Sequence, residues 1–180
     1  MRVYAGSPSG WQEQLIGVSA ITRRWLADQG SLSERISQRC VGFNVSQIAQ
    51  RRGPALLDEA AIAGLAVKER ALLRDVYLRC GTRPVVFAHS VLPRASLSGH
   101  WSGLAQLGNR SLGAMLFADP LVRRSPLQFR RLDVRHALYR QAVRGVLPPP
   151  LYLWARRSLL MLAQRRILVT EVFLPSVFEL

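Results

Sequence analysis

A chain of 180 residues, 49% of them apolar, suits one domain with a substantial core. Its formal charge of +14 invites a polyanion partner, but Lys68 is the only lysine. The arginines are scattered as pairs (Arg23-Arg24, Arg51-Arg52, Arg123-Arg124, Arg130-Arg131, Arg156-Arg157, Arg165-Arg166) with no helix-turn-helix, zinc-finger or RNA-binding aromatic pattern.

An anionic small molecule accounts for that charge as well as a polyanion does, and no nucleic-acid partner is expected. Cys40 and Cys80 lack a CxxC partner and a histidine at ligand spacing, so neither a metal site nor a disulfide follows. With no apolar signal core at the start and no run of membrane-spanning length, the expectation is a cytoplasmic chain with reduced thiols and no membrane insertion.

Taken in order, residues 1–17 are rich in Gly, Pro and Ser and read as a loose lead-in, with one domain over 18–180. Val18 to Ala27 predicts a short helix. Ser31-Leu-Ser-Glu34 is a capping-box pattern that starts another and leaves the Leu32 N–H in an open first turn. Strand alternation runs from Val41 to Ala49 and is broken by Arg51-Arg-Gly-Pro54. A partly helical stretch leads to a strand over Arg70–Cys80, a turn at Gly81–Pro84 and a strand over Val85–Pro93.

A helix from His100 to Leu107 and a second, Leu112 to Phe117, capped by Ser111, come next. Leu127–His136 reads as a strand and 137–150 as an excursion. Leu151–Leu162 and Ile167–Leu174, joined by Ala163–Arg166, form a terminal hairpin. The pattern predicts an α+β domain on one antiparallel sheet of about six strands, with short helices packed on one side.

Three polar residues stand among apolar neighbours on these strands: Arg74, His89 and Glu171. A guanidinium in an apolar pocket suits a planar carboxylate, which it binds in bidentate fashion. The helix start at Leu112 offers backbone N–H donors to the same anion. A glutamate in a dry site can accept from a hydroxyl, or donate if its pKa is raised. The alternatives are a structural pair for Glu171 with an arginine of a neighbouring strand or with Arg74, and a satisfied core histidine at 89. Side chains at Arg156 and Arg157 point to opposite faces of their strand, so at least one is paired or faces solvent. His100 and His136 have no triad partner, and the glycines form no nucleotide-binding pattern.

Five segments in order resemble bacterial chorismate lyase: Leu73-Arg-Asp-Val-Tyr-Leu78, Val91-Leu-Pro-Arg-Ala-Ser-Leu-Ser-Gly99, Leu107-Gly-Asn-Arg-Ser-Leu-Gly-Ala-Met-Leu-Phe117, Leu153-Trp-Ala-Arg-Arg-Ser158 and Leu168-Val-Thr-Glu-Val-Phe-Leu-Pro175. The resemblance implies a six-stranded sheet with ligand-covering flaps. It also implies a chorismate pyruvate-lyase that needs no cofactor and makes 4-hydroxybenzoate for the ubiquinone ring. By the same resemblance Arg74 holds the ring carboxylate with the Leu112 N–H, and Glu171 faces the ring hydroxyl. Leu32 takes the place of a methionine over the ligand. His89 stands where a second arginine is expected, facing the enolpyruvyl carboxylate; with Glu171 it is a candidate catalytic residue. The substrate is then chorismate, and the enzyme a monomer. An effector-binding domain of the GntR type resembles the same fold, but the roughly 30 residues before the first strand are too few for its DNA-binding partner domain. A lyase forming another hydroxybenzoate isomer is the other alternative.

Overall fold

The structure, a computed structural model, describes residues 10–144 and 146–180, without the His100 side chain. Its apolar segments pair antiparallel into seven strands: β1 (Phe43–Pro54), β2 (Arg70–Cys80), β3 (Arg83–Leu92), β4 (Arg123–Arg124), β5 (Gln128–Leu132), β6 (Leu153–Leu162) and β7 (Arg165–Phe173). They lie in the order β1-β2-β3-β7-β6-β4, with β5 also paired to β6. The strand beyond the expected six is β4, two arginines long and too short for alternation to reveal. Strand β1 runs through Arg51-Arg-Gly-Pro54 instead of breaking there. It is an edge strand paired to β2, so the missing N–H of Pro54 at its end is tolerated.

The central strands are buried on both faces, and their register sorts the polar residues. Arg74 lies opposite Ser90, Ala88 opposite Glu171, and Glu171 opposite Arg156, so these side chains share one face. Asp75 lies opposite His89, which lies opposite Thr170, itself opposite Arg157; these share the other.

The larger helical layer covers the first face, with α1 (Ala20–Leu26), α2 (Leu32–Ser37), a 3-10 run over Gly99–Gln106 and α4 (Leu112–Phe117). Trp25, Leu26, Leu32 and Ile36 pack on Val76, Leu78, Ala88 and Phe173, while Leu104, Leu107, Leu112 and Leu116 pack on Leu72, Leu92 and Ile167. Each buried leucine contributes roughly 1.5–3 kcal/mol against exposure, which holds these short helices in place. Two further helices, α3 (Leu57–Ala63) and α5 (Ala137–Ala142), add cover on the second face, where Ala63 meets Leu168 and Leu138 meets the Tyr77 and Phe87 cluster. Helix α5 lies in the stretch read as an excursion, with His136 as its cap, so β5 stops at Leu132. The helix expected over His100–Leu107 is instead the 3-10 run.

The loose lead-in expected over 1–17 falls outside the described residues in its first nine positions. From Gly10 onward the chain is held. Gln12 exchanges two backbone hydrogen bonds with Phe129, at 2.9 and 2.7 Å, and Trp11 and Leu15 are buried.

The cysteines correct a second expectation. Cys40 and Cys80 are joined in a disulfide, with Cα atoms 5.7 Å apart. Pairing of Phe43 with Cys80 brings the loop after α2 over the end of β2. A sequence separation of 40 concealed that proximity.

Candidate active site

On the first face of the sheet, α2 and α4 close over a small cavity. It is lined by Arg74, Val76, Ala88, Ser90, Val169 and Glu171 from the strands, and by Leu32, Ser33, Ser111 and Leu112 from above. Its free volume is about 40 Å3, room for a few waters. The two covering helices touch through one hydrogen bond, Ser111 Oγ donating to Ser33 Oγ at 2.7 Å. Each helix begins at a capped serine: Ser31 Oγ accepts from the Glu34 N–H, and Ser111 Oγ from the Ala114 N–H. Those caps leave the first-turn N–H groups of Leu32 and Leu112 without intrahelical partners. A larger cleft lies outside the Ser33–Ser111 contact, and Ser33, Ser111 and Phe117 line both spaces.

Arg74 is 1% exposed, and burial pushes its guanidinium pKa down. Its Nη2 donates to the carbonyls of Gly108 and Arg110, both at 2.8 Å, which ties the loop ahead of α4 to the sheet. Its Nε has no hydrogen-bond partner among the described residues. A buried, unsatisfied charged donor is costly, and a ligand carboxylate is the kind of group that removes the cost. Glu171 lies two strands over and two residues along, roughly 12 Å away between Cα atoms by strand spacing and rise.

Glu171 is held by arginine. Arg156 Nε donates to its Oε2 at 2.5 Å, and Arg124 Nη2 stands 3.7 Å from the same oxygen. The pairing of Glu171 with a neighbouring-strand arginine, left open by the sequence, is therefore present, and the partner is Arg156 rather than Arg74. Arg156 is fully buried; its Nη1 donates to the carbonyls of Leu26 and Asp28 at 3.2 and 2.6 Å, and its Nη2 has no hydrogen-bond partner among the described residues. Burial pushes the Arg124 pKa down to about 10, against the pull of the Glu171 charge, so it stays protonated at neutral pH.

His89 is not part of this cavity, which corrects the position expected for it. It points to the second face, where Nδ1 meets Asp75 Oδ1 at 2.5 Å and Nε2 stands 3.4 Å from Glu59 Oε2 of α3. Alternation decides this: Ser90, the neighbour of His89, is the residue opposite Arg74. Burial works to lower the His89 pKa, but the Asp75 hydrogen bond and the two carboxylate charges win and raise it to about 9. His136, the other histidine described in full, caps α5 and lies 3.6 Å from Asp58.

The cavity thus gathers Arg74, Leu112, Leu32 and Glu171, leaves out His89, and adds Arg156 and Arg124 behind Glu171. Arg156 was within reach of the sequence through the terminal hairpin. A turn of two residues, Ala163 and Gln164, pairs Leu162 with Arg165, and six steps along each strand reach Arg156 and Glu171. A four-residue turn would pair Arg156 with Phe173 instead. Among the described residues no group of three or more His, Cys, Asp or Glu is arranged to hold a metal ion, and no helix is long and apolar enough to cross a membrane.

A single antiparallel sheet with short helices packed on it is an α+β fold. It superimposes on the effector domain of PhnF from Mycobacterium smegmatis with a TM-score of 0.56 at 14% identity, over 83% of this chain and 91% of that one. A GntR-family transcriptional regulator from Bacillus cereus matches with a TM-score of 0.53 at 15% identity, over 78% and 96%. At such identity the likeness is one of fold alone. Sequence narrows it: residues 8–180 match the chorismate lyase family model. A chain from Aromatoleum aromaticum is 50% identical over 91% of this chain and 89% of its own length, and one from Nitrosospira multiformis is 46% identical over 98% of both. Both carry the description "probable chorismate pyruvate-lyase". The chain belongs to the chorismate lyase family.

Proposed function

We propose that this protein is a chorismate pyruvate-lyase that converts chorismate into 4-hydroxybenzoate and pyruvate. The observation that carries the reading is a small cavity lined by both Glu171 and Arg74, whose buried Nε has no hydrogen-bond partner among the described residues. Arg74 and the Leu112 N–H would take the ring carboxylate, Glu171 the 4-hydroxyl, and Leu32 the apolar roof. With Oε2 committed to Arg156, Oε1 of Glu171 is the oxygen left to accept from that hydroxyl.

The reaction is an elimination. The C3–O bond of the enol ether breaks with its electron pair leaving on oxygen, the C4 hydrogen departs as a proton, and the ring becomes aromatic. The released enolpyruvate takes up a proton and becomes pyruvate. Aromatisation drives the chemistry, so the protein's task is to orient an anion in a dry site.

A cavity of about 40 Å3 is below the roughly 300 Å3 of a typical ligand site, so α2 and α4 act in this reading as flaps that part to admit the substrate. Closure over a flat aromatic product makes slow release and product inhibition expected. In this reading the enzyme works as a monomer, in the cytoplasm, on a dissolved substrate.

Incubation with chorismate followed by chromatography tests the reading. Formation of 4-hydroxybenzoate by the wild type, with turnover lost in Glu171→Ala and Arg74→Ala, is expected. Binding of 4-hydroxybenzoate without any turnover would make the protein an effector domain, and a different hydroxybenzoate would change the product isomer.

A further inference from the structure

Chorismate carries two carboxylates, and the cavity as described meets one. The second ends the enolpyruvyl ether on the ring carbon next to the one bearing the hydroxyl, so it falls at the Glu171 end. A carboxylate left unpaired in a desolvated site is costly. His89 lies on the other face of the sheet and cannot meet it.

Two guanidiniums converge on that end. Arg156 keeps a buried Nη2 without a partner. Arg124, on β4, donates through Nε to Ser158 Oγ at 2.7 Å and through Nη1 to the Gln29 carbonyl at 3.1 Å, just ahead of α2. Its Nη2 stands 3.7 Å from Glu171 Oε2, beyond hydrogen-bond distance. Its guanidinium lies 5.2 Å from the ring of Phe117, a residue that lines both the cavity and the outer cleft. Arg124 therefore sits where Glu171, the cavity wall and the turn before a covering helix meet. The local charge is also unbalanced: Arg35, Arg124 and Arg156 face two carboxylates, Asp28 and Glu171, which leaves one positive charge over.

We propose that Arg124, with the open Nη2 of Arg156, receives the enolpyruvyl carboxylate and so is the residue by which the site tells substrate from product. The inference rests on the chorismate reading. 4-Hydroxybenzoate has lost that carboxylate and makes no use of Arg124. During elimination the same guanidinium lies beside the departing enolpyruvate and stabilises the charge that develops on it.

Arg124→Gln and Arg124→Lys are compared with the wild type. Steady-state turnover gives KM for chorismate. Calorimetry gives Kd for 4-hydroxybenzoate and for 3-(carboxymethoxy)-4-hydroxybenzoate, an aromatic mimic that restores the second carboxylate. In Arg124→Gln, KM for chorismate and Kd for the mimic are expected to rise about tenfold or more, as for loss of a charge-assisted hydrogen bond. Affinity for 4-hydroxybenzoate is expected to stay within about twofold, and Arg124→Lys to recover part of the loss. Equal weakening of all ligands would make Arg124 a support for Glu171 and overturn the inference, as would an unchanged KM. A wild type inert toward chorismate would remove the functional reading, and this inference with it, before any variant is made.

Discussion

Arg156 and Glu171 face each other in direct register across the β6–β7 hairpin, joined by a 2.5 Å hydrogen bond from Nε to Oε2. Because Arg156 also holds the carbonyls of Leu26 and Asp28, one side chain ties the central strand β7 to the end of α1. The candidate acid is thus built into the packing of the covering layer.

Arg156→Leu should accordingly cost about 3–5 kcal/mol of stability, since it strands Glu171 and two buried carbonyls. Glu171→Gln keeps an oxygen that can accept from Arg156 and should cost less, about 1–2 kcal/mol. Urea denaturation of both variants checks the order. A Glu171→Gln loss as large as that of Arg156→Leu would show that charge, rather than donor geometry, holds the pair together.

Much of this was legible from residue pattern alone, and the failures share one cause. The alternation of β2, β3 and β7 and the serine cap of α4 are local signals, and they put Arg74, Glu171 and the helix start at Leu112 in one setting with His89; Leu32 enters through the family resemblance alone. What alternation within one strand does not reveal is which faces of different strands coincide. Register decides that: Arg74 opposite Ser90 sends His89 away, and the two-residue turn at Ala163–Gln164 brings Arg156 to Glu171. The Cys40–Cys80 bond and the two-residue strand β4, which carries Arg124, likewise depend on long-range pairing. The charge also has a local explanation hidden from composition, because Arg35, Arg74, Arg124, Arg156 and Arg157 spend donors on backbone carbonyls of loops and helix ends.

His89 should report on stability rather than on catalysis. Its folded pKa of about 9 lies above the ordinary 6.5, so its contribution is fully present below pH 6.5 and is lost as pH rises through 9. The linkage is on the order of 3 kcal/mol. Denaturation midpoints measured from pH 6 to pH 10 should fall across that window in the wild type and flatten in His89→Gln. A drop of kcat/KM centred near pH 9, seen while the protein is still folded and abolished by His89→Gln, would instead return His89 to the chemistry.

The disulfide makes stability depend on redox conditions. Closing a loop of 40 residues is worth about 4 kcal/mol in the chain-entropy account, so reduction by dithiothreitol or Cys80→Ser should lower the unfolding midpoint clearly. Because Cys40 follows α2, the loss should fall first on the helix that covers the cavity, seen as faster amide exchange in residues 32–37. Titration of two free thiols in the denatured, unreduced protein would show that the bond is not formed.

In the proposed reading, where α2 and α4 act as flaps, the Ser33–Ser111 contact is the hydrogen bond that their separation would break. Ser111 also caps α4 through the Ala114 N–H, so its loss would fray the helix, whereas Ser33 gives the contact without serving as a cap. Ser33→Ala removes one neutral hydrogen bond between the two covering helices, worth about 1 kcal/mol. The rate of 4-hydroxybenzoate release in stopped-flow displacement should then rise about fivefold, with the unfolding midpoint lowered by only about 2–4 °C. If release limits turnover, kcat rises with it, because Ser33→Ala leaves the proposed site residues Glu171 and Arg74 in place. An unchanged release rate would mean that the helices separate without breaking this contact, and that the way out of the cavity does not pass between Ser33 and Ser111.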